Sequence, residues 1–87
     1  MLFSTVYGYE NYGTIKAFDY PNNDLDFISD ISYSACQSSC DLNGACVAFV
    51  TSYTGEQLDY VPNVDCWLKS KLEFGGPADD RAVYYKE

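Results

Sequence analysis

The 87-residue chain contains no histidine. That removes the commonest general base and the commonest imidazole metal ligand. A Ser–His–Asp or Cys–His mechanism within the chain is therefore impossible. Basic residues are scarce, 5 against 13 acidic ones, and the net charge of −8 argues against nucleic acid and anionic membrane surfaces as partners. No apolar run approaches the length of a membrane span, so membrane insertion is not expected. The opening MLFSTVYGYE lacks the basic start and long apolar core of a signal peptide, so secretion would rely on a signal outside these residues. No N-x-[ST] sequon occurs: Asn11, Asn22, Asn23, Asn43 and Asn63 all fail at the third position, and N-glycosylation is not expected. With no phosphate-binding loop and no nucleophile–base pair, the chain is expected to be neither an enzyme nor the holder of a cofactor.

What is present is a small, aromatic, cysteine-bearing chain. Its length fits one domain, residues 1–87, at a size where a hydrophobic core alone is barely sufficient and a staple is usually needed. Nine tyrosines and five phenylalanines suggest contact surfaces as well as a core, because tyrosine offers a large, stiff, amphipathic face.

Residues 3–9 alternate as a strand, followed by a turn signal at Asn11–Gly13 and a second short strand over TIKAF. DYPNNDLD, dense in Asn, Asp and Pro, predicts a loop. From Ser32, which stands where an N-cap belongs, SYSACQSSCDL predicts a helix of about three turns. Ala35, Cys36, Ser39 and Cys40 share one face at helical spacing, and Asn43-Gly44 is the stop signal. ACVAFVTSY and VDCWLKS read as strands, with Phe49 and Leu68 in the core and a polar loop from Thr54 to Asn63 between them. FGGPADD reads as a turn and RAVYYKE as the last strand. The fold class expected is α+β: a single short helix packed on a twisted antiparallel sheet of about four or five strands.

The four cysteines fall as C-x3-C, C-x5-C and C-x19-C. These spacings suit neither the paired knuckles of structural zinc sites nor a C-x-x-C redox centre, and no metal is expected. Disulfides remain, with three possible connectivities. Cys36–Cys40 is disfavoured because both Cβ atoms point the same way along one helix face. The chain reversal at Asn43-Gly44 brings Cys46 back beside Cys40, which leaves Cys36 for Cys66. In the chain-entropy model the longer loop contributes roughly 3–4 kcal/mol and the shorter one roughly 2. Such bonds point to a compartment outside the cytosol.

DYPNNDLDFI from Asp19, SYSACQSSC from Ser32, NGACVAFV from Asn43 and CWLKS from Cys66 together resemble the PAN/apple domain family. The resemblance covers about residues 14–87 and leaves the N-terminal strand, within residues 1–13, with an open role. It implies one helix on a twisted antiparallel sheet, with two disulfides tying helix to sheet. It also implies a non-catalytic, usually extracellular module for protein–protein or protein–carbohydrate contact, often one of several in a longer chain. Two departures are a loop at Thr54–Val64 longer than the minimal pattern and the lack of the third disulfide that joins the termini of apple domains.

Trp67 alternates with Cys66 and Leu68 and so faces away from them; it suits a sugar-stacking platform or, by preference, second-face packing beside Lys69. Tyr53, Glu56 and Tyr60, in and around the long loop, are the other candidate ligand contacts for a protein or glycan partner. Tyr9, Tyr12, Tyr84 and Tyr85 lie near chain ends that would be neighbours, where a Tyr-rich sheet edge could pair with a second copy. That motivates the alternative of a self-associating subunit of an extracellular filament, coat or matrix. Asn23, Asp24 and Asp26 alternate like the start of a calcium loop but lack its glycine and closing glutamate, so turn and capping bonds are preferred.

Non-reducing peptide mapping is expected to recover Cys36 linked to Cys66 and Cys40 linked to Cys46, with no free thiol. Recovery of Cys36 linked to Cys46 would overturn the pairing.

Overall fold

The computed structural model describes residues 11–53 and 63–87. The strand expected over residues 3–9, most of the loop expected from Thr54 to Asn63, and Tyr9, Glu56 and Tyr60 lie outside the described residues. The elements are β1 (Tyr12–Asp19), β2 (Asp24–Ile31), α1 (Tyr33–Asp41), β3 (Ala48–Ser52), β4 (Val64–Lys69) and β5 (Gly76–Lys86). The strands form one antiparallel sheet in the order β1-β5-β3-β4-β2, with α1 packed on one face. This is the expected α+β arrangement, helix and sheet joined by two disulfides.

The helix begins and ends where its residues dictate. Ser32 is extended, and its hydroxyl accepts a hydrogen bond from the Ala35 amide at 3.1 Å, satisfying one of the unpaired donors of the first turn. At the other end the Cys46 amide donates to the Asn43 carbonyl at 2.9 Å and the Ala45 amide donates to the Asn43 side chain at 3.0 Å. These bonds close the reversal expected at Asn43-Gly44. Lys86 Nζ donates to the Cys40 carbonyl at 2.9 Å, placing a cation at the negative end of the helix.

Only Cys36 and Cys40 of the nine helical residues are buried. Ala35, expected on the same face, is exposed and Ser39 is half-buried, its hydroxyl turned back onto the Ala35 carbonyl at 2.9 Å. Apart from Tyr33 in its first turn, which packs on Phe49 and Tyr84, the helix therefore meets the sheet through sulfur rather than through a broad apolar stripe. Cys36 is bonded to Cys66 of β4, with Cα atoms 5.8 Å apart, and Cys40 to Cys46, 5.3 Å apart, as expected.

β3 is the centre of the sheet, and Ala48, Phe49, Val50 and Thr51 are all fully buried. A strand covered on both faces needs a continuous apolar run, which AFV supplies. On the helix side, Phe49, Cys66, Leu68, Ala82 and Tyr84 pack with the helical cysteines, so Phe49 and Leu68 occupy the core as expected. Tyr84 stacks on Phe49 at 5.0 Å between ring centroids, and Tyr12 meets Phe49 edge-on at 5.2 Å. The Tyr12 hydroxyl donates to Asp41 at 2.6 Å, tying β1 to the end of the helix. Burial pushes the Tyr84 hydroxyl well above the ordinary phenol range, and the neighbouring Tyr33 adds to the shift.

Three local expectations need correction. The loop expected at DYPNNDLD shrinks to residues 20–23, and Asp24–Ile31 is a strand paired with β4. Its aspartates are tolerated because β2 is an edge strand whose side chains are mostly in water. Asn11–Gly13 is not a turn: Tyr12 and Gly13 open β1, and the tip of the Tyr85 ring lies so close over Gly13 that a Cβ there would have to push the ring aside. FGGPADD is not a turn either, since β5 starts at Gly76 and the reversal lies within residues 70–75. Pro77 is accommodated opposite Phe18, beside the register shift between Lys16 and Phe18 where Ala17 has φ 57°.

Removing the Cys36–Cys66 bond as a double serine variant is expected to cost about 3–4 kcal/mol, against about 2 for the Cys40–Cys46 pair. Urea unfolding of both variants checks the order; equal losses would mean that something other than loop closure holds the helix.

Candidate functional site

The face of the sheet opposite the helix carries the charged chemistry. Strand alternation and register put Ala48 and Val50 of β3, Val83 of β5, and Trp67 and Lys69 of β4 on this side. The first three are fully buried and form its floor. Trp67 is half-buried between neighbours from both directions along the sheet. Phe27 approaches from β2 at 5.0 Å between centroids, and the Arg81 guanidinium lies over the indole from β5 at 4.6 Å. Arg81 Nη1 also donates to the Asp80 carbonyl at 3.0 Å and pairs with its carboxylate at 2.9 Å.

Lys69 is the unusual residue. Its side chain is only 2% exposed, and its ammonium is paired with Asp24, whose side chain is 46% exposed. The direct register match of Asp24 with Lys69 makes the pair possible. A buried ammonium without a partner carries a desolvation cost of several kcal/mol, so the pairing is a condition for Lys69 to stand there.

Two turns are fastened together above this pair. The Ser70 amide donates to the Asn23 carbonyl at 3.0 Å, and the Asn23 side-chain amide donates to Glu73 at 3.2 Å. Gly75 packs against the rings of Phe18 and Tyr20, which meet edge-on at 5.3 Å. Asn23 and Phe74 have φ of 67° and 58°, and the Phe74 side chain is 83% exposed at the tip of the second turn. Beside the β1–β2 turn lies a cleft of about 120 Å³ lined by Asp19, Pro21, Asp24, Trp67, Lys69 and Arg81, with room for about four waters.

Of the candidate contact residues that are described, Trp67 lines this cleft, as does Asp24 from the acidic run. Tyr53 is partly buried against the core, its amide bonded to the Asp80 carbonyl at 2.9 Å. Tyr12 and Tyr84 sit in the aromatic cluster under the helix, while Tyr85 covers Gly13 on the opposite face. Asn23, Asp24 and Asp26 serve three separate purposes: Asn23 braces the turns, Asp24 pairs with Lys69, and Asp26 accepts from the Phe27 amide at 2.9 Å. Among the described residues, no group of three metal-ligating side chains converges and no helix is long and apolar enough to cross a membrane.

Sequence reasoning missed Asp19, Pro21, Asp24 and Arg81 as a set with Lys69. The shared face of Trp67 and Lys69 follows from their two-residue spacing. Arg81 reaches the same place only because β5 and β4 flank β3, which no local signal reveals.

A helix sewn by disulfides to an antiparallel sheet, with a braced cleft on the far face, defines a small disulfide-stabilised α+β scaffold. The PAN domain family model matches residues 18–69, more than half of the chain, and the chain belongs to that family. PAN domains are modules for protein–protein or carbohydrate interaction, generally non-catalytic and typical of extracellular proteins. No curated protein matches the sequence.

The Lys69–Asp24 pair gives an asymmetric expectation. Asp24→Ala strands a buried ammonium and should cost about 2–3 kcal/mol, whereas Lys69→Met leaves a half-exposed carboxylate that water can solvate and should cost about 1 or less. Urea denaturation of the two variants checks it; equal destabilisation would mean that the pair adds nothing specific to burial.

Proposed function

We propose that residues 1–87 form one extracellular, non-catalytic recognition module that contacts a protein or a carbohydrate through the far-face cleft lined by Asp19, Pro21, Asp24, Trp67, Lys69 and Arg81. The observation that carries this reading is the cleft itself. It gathers two carboxylates, two cations, a proline and the sole tryptophan on a backbone braced by hydrogen bonds between its two turns. Convergent polar groups on a rigid support suit recognition, since little ordering is left to be done on binding. Two buried disulfides suit an oxidising, extracellular setting. Tyr53, Glu56 and Tyr60 remain proposed as secondary contacts on the side of the long loop.

Self-association has less to support it. In the described sheet the edges are β1 and β2, and both carry register shifts. Non-glycine residues with positive φ, Ala17 in β1 and Asp30 in β2, interrupt the two edges. Such irregularities, with the aspartates along β2, hinder the addition of another strand. Tyr84 is buried within the core, so Tyr85 is the better-placed of the two closing tyrosines for any contact between copies.

The test is to display the domain, with both disulfides intact, to glycan and secreted-protein arrays. Saturable binding that Asp19→Asn weakens about tenfold or more is expected. Absence of binding on both arrays, together with concentration-dependent assembly in sedimentation velocity, would instead favour the structural subunit.

A further inference from the structure

We infer that the cleft takes an uncharged, polyhydroxylated group, the rim of a neutral pyranose sugar, in preference to an anionic or a cationic one. This rests on the reading of the cleft as a recognition site. The first argument is unspent hydrogen-bonding capacity at a buried charge. The Lys69 ammonium has three donors, and Asp24 takes one of them. The side chain is only 2% exposed and lines the cleft. A donor left unmade in such a place is costly, so a ligand oxygen entering there gains an acceptor position that is already organised.

The second argument is the charge balance. Asp19 and Asp24 face Lys69 and Arg81 around the same cavity, so the lining is neutral as a whole. Lys69 is neutralised by Asp24 and Arg81 by Asp80, whereas Asp19 has no ion-pair partner among the described residues. A carboxylate or sulfate would approach cations already paired, would meet the Asp19 charge, and would do so on a chain of net charge −8. An ammonium could pair with Asp19 but has no acceptor to offer the remaining Lys69 and Arg81 N–H groups. A hydroxyl avoids both conflicts because it accepts and donates at once. Its oxygen can take a Lys69 or Arg81 N–H while its proton goes to Asp19 or to the second oxygen of Asp24. Two adjacent hydroxyls reproduce that pattern twice.

The third argument concerns Trp67. Phe27 and Arg81 already engage the indole from opposite directions along the sheet. With both neighbours against it, the ring lines the cleft together with Pro21 without presenting a fully open stacking face. That geometry accommodates the C–H edge of a sugar held mainly by its hydroxyls.

Because Trp67 is the sole tryptophan, its indole fluorescence and its single indole N–H resonance report on the cleft directly. The oxidised full chain is titrated at neutral pH with the methyl glycosides of glucose, galactose and mannose, with glucuronate and N-acetylneuraminate as anionic arms. A hexylamine arm tests cations. At least one neutral glycoside should shift the indole signal saturably, with every charged arm weaker by about tenfold or more. Asp19→Asn and Lys69→Met should each weaken the neutral sugar by about tenfold, while circular dichroism shows both variants folded. Equal or tighter binding of a charged arm would overturn the inference, as would an indole signal that no sugar moves. Binding on the protein or glycan arrays with the indole unmoved would leave the recognition reading standing and remove only the ligand class. Silence on the arrays and in the titration would remove both.

Discussion

The bond between Cys36 and Cys66 is the constraint on which the rest of the structure depends. A nine-residue helix with two buried residues has too little apolar surface to hold itself against a sheet. Covalent attachment to β4 at a fully buried position supplies what packing does not. Once the helix is fixed there, Tyr12 and Lys86 can reach its C-terminal end, and Phe49 and Tyr84 can pack beneath it against the helix's own Tyr33. The shorter Cys40–Cys46 bond then fixes the chain reversal that sends β3 through the middle of the sheet.

Fixing one face in this way leaves the other free to carry charge. The far side of β4 holds a buried lysine, which is tolerable only because β2 places Asp24 directly opposite. Its neighbour Trp67 is held between residues from β2 and β5. Aromatic packing and charge are thus divided between the two faces. Sulfur and aromatic packing hold the helix side, while the far side combines an apolar floor with ion pairs and an open cleft. The bracing of the Asn23 turn against Ser70 and Glu73 keeps that cleft in shape without drawing on the core.

Much of the scaffold was legible because it rests on local rules. Ser32 as a cap, Asn43-Gly44 as a stop, the apolar run of β3 and the alternation of VDCWLK each follow from a few adjacent residues. The cysteine pairing followed from the same local geometry. β2 was not legible, because Asp24, Asp26 and Asp30 signal a loop and are compatible with a strand only at a sheet edge. Nor was the upstream half of β5, where Gly76 and Pro77 mimic a turn and are tolerated beside the register shift in β1. Tyr84 and Tyr85, equivalent on paper, lie on opposite faces of β5, one in the core and one over Gly13.

The sequence by itself determined the class of the fold, the cysteine pairing and the family, since these depend on composition, spacing and motifs read within short windows. It also removed histidine-based catalysis, because an absent residue needs no structure to interpret. Only the tertiary structure decided which charges meet. Asp19, Asp24, Lys69 and Arg81 are spread over some sixty positions, and strand order alone brings them to one cleft. Strand order is set by non-local pairing, whose energetics no short window contains.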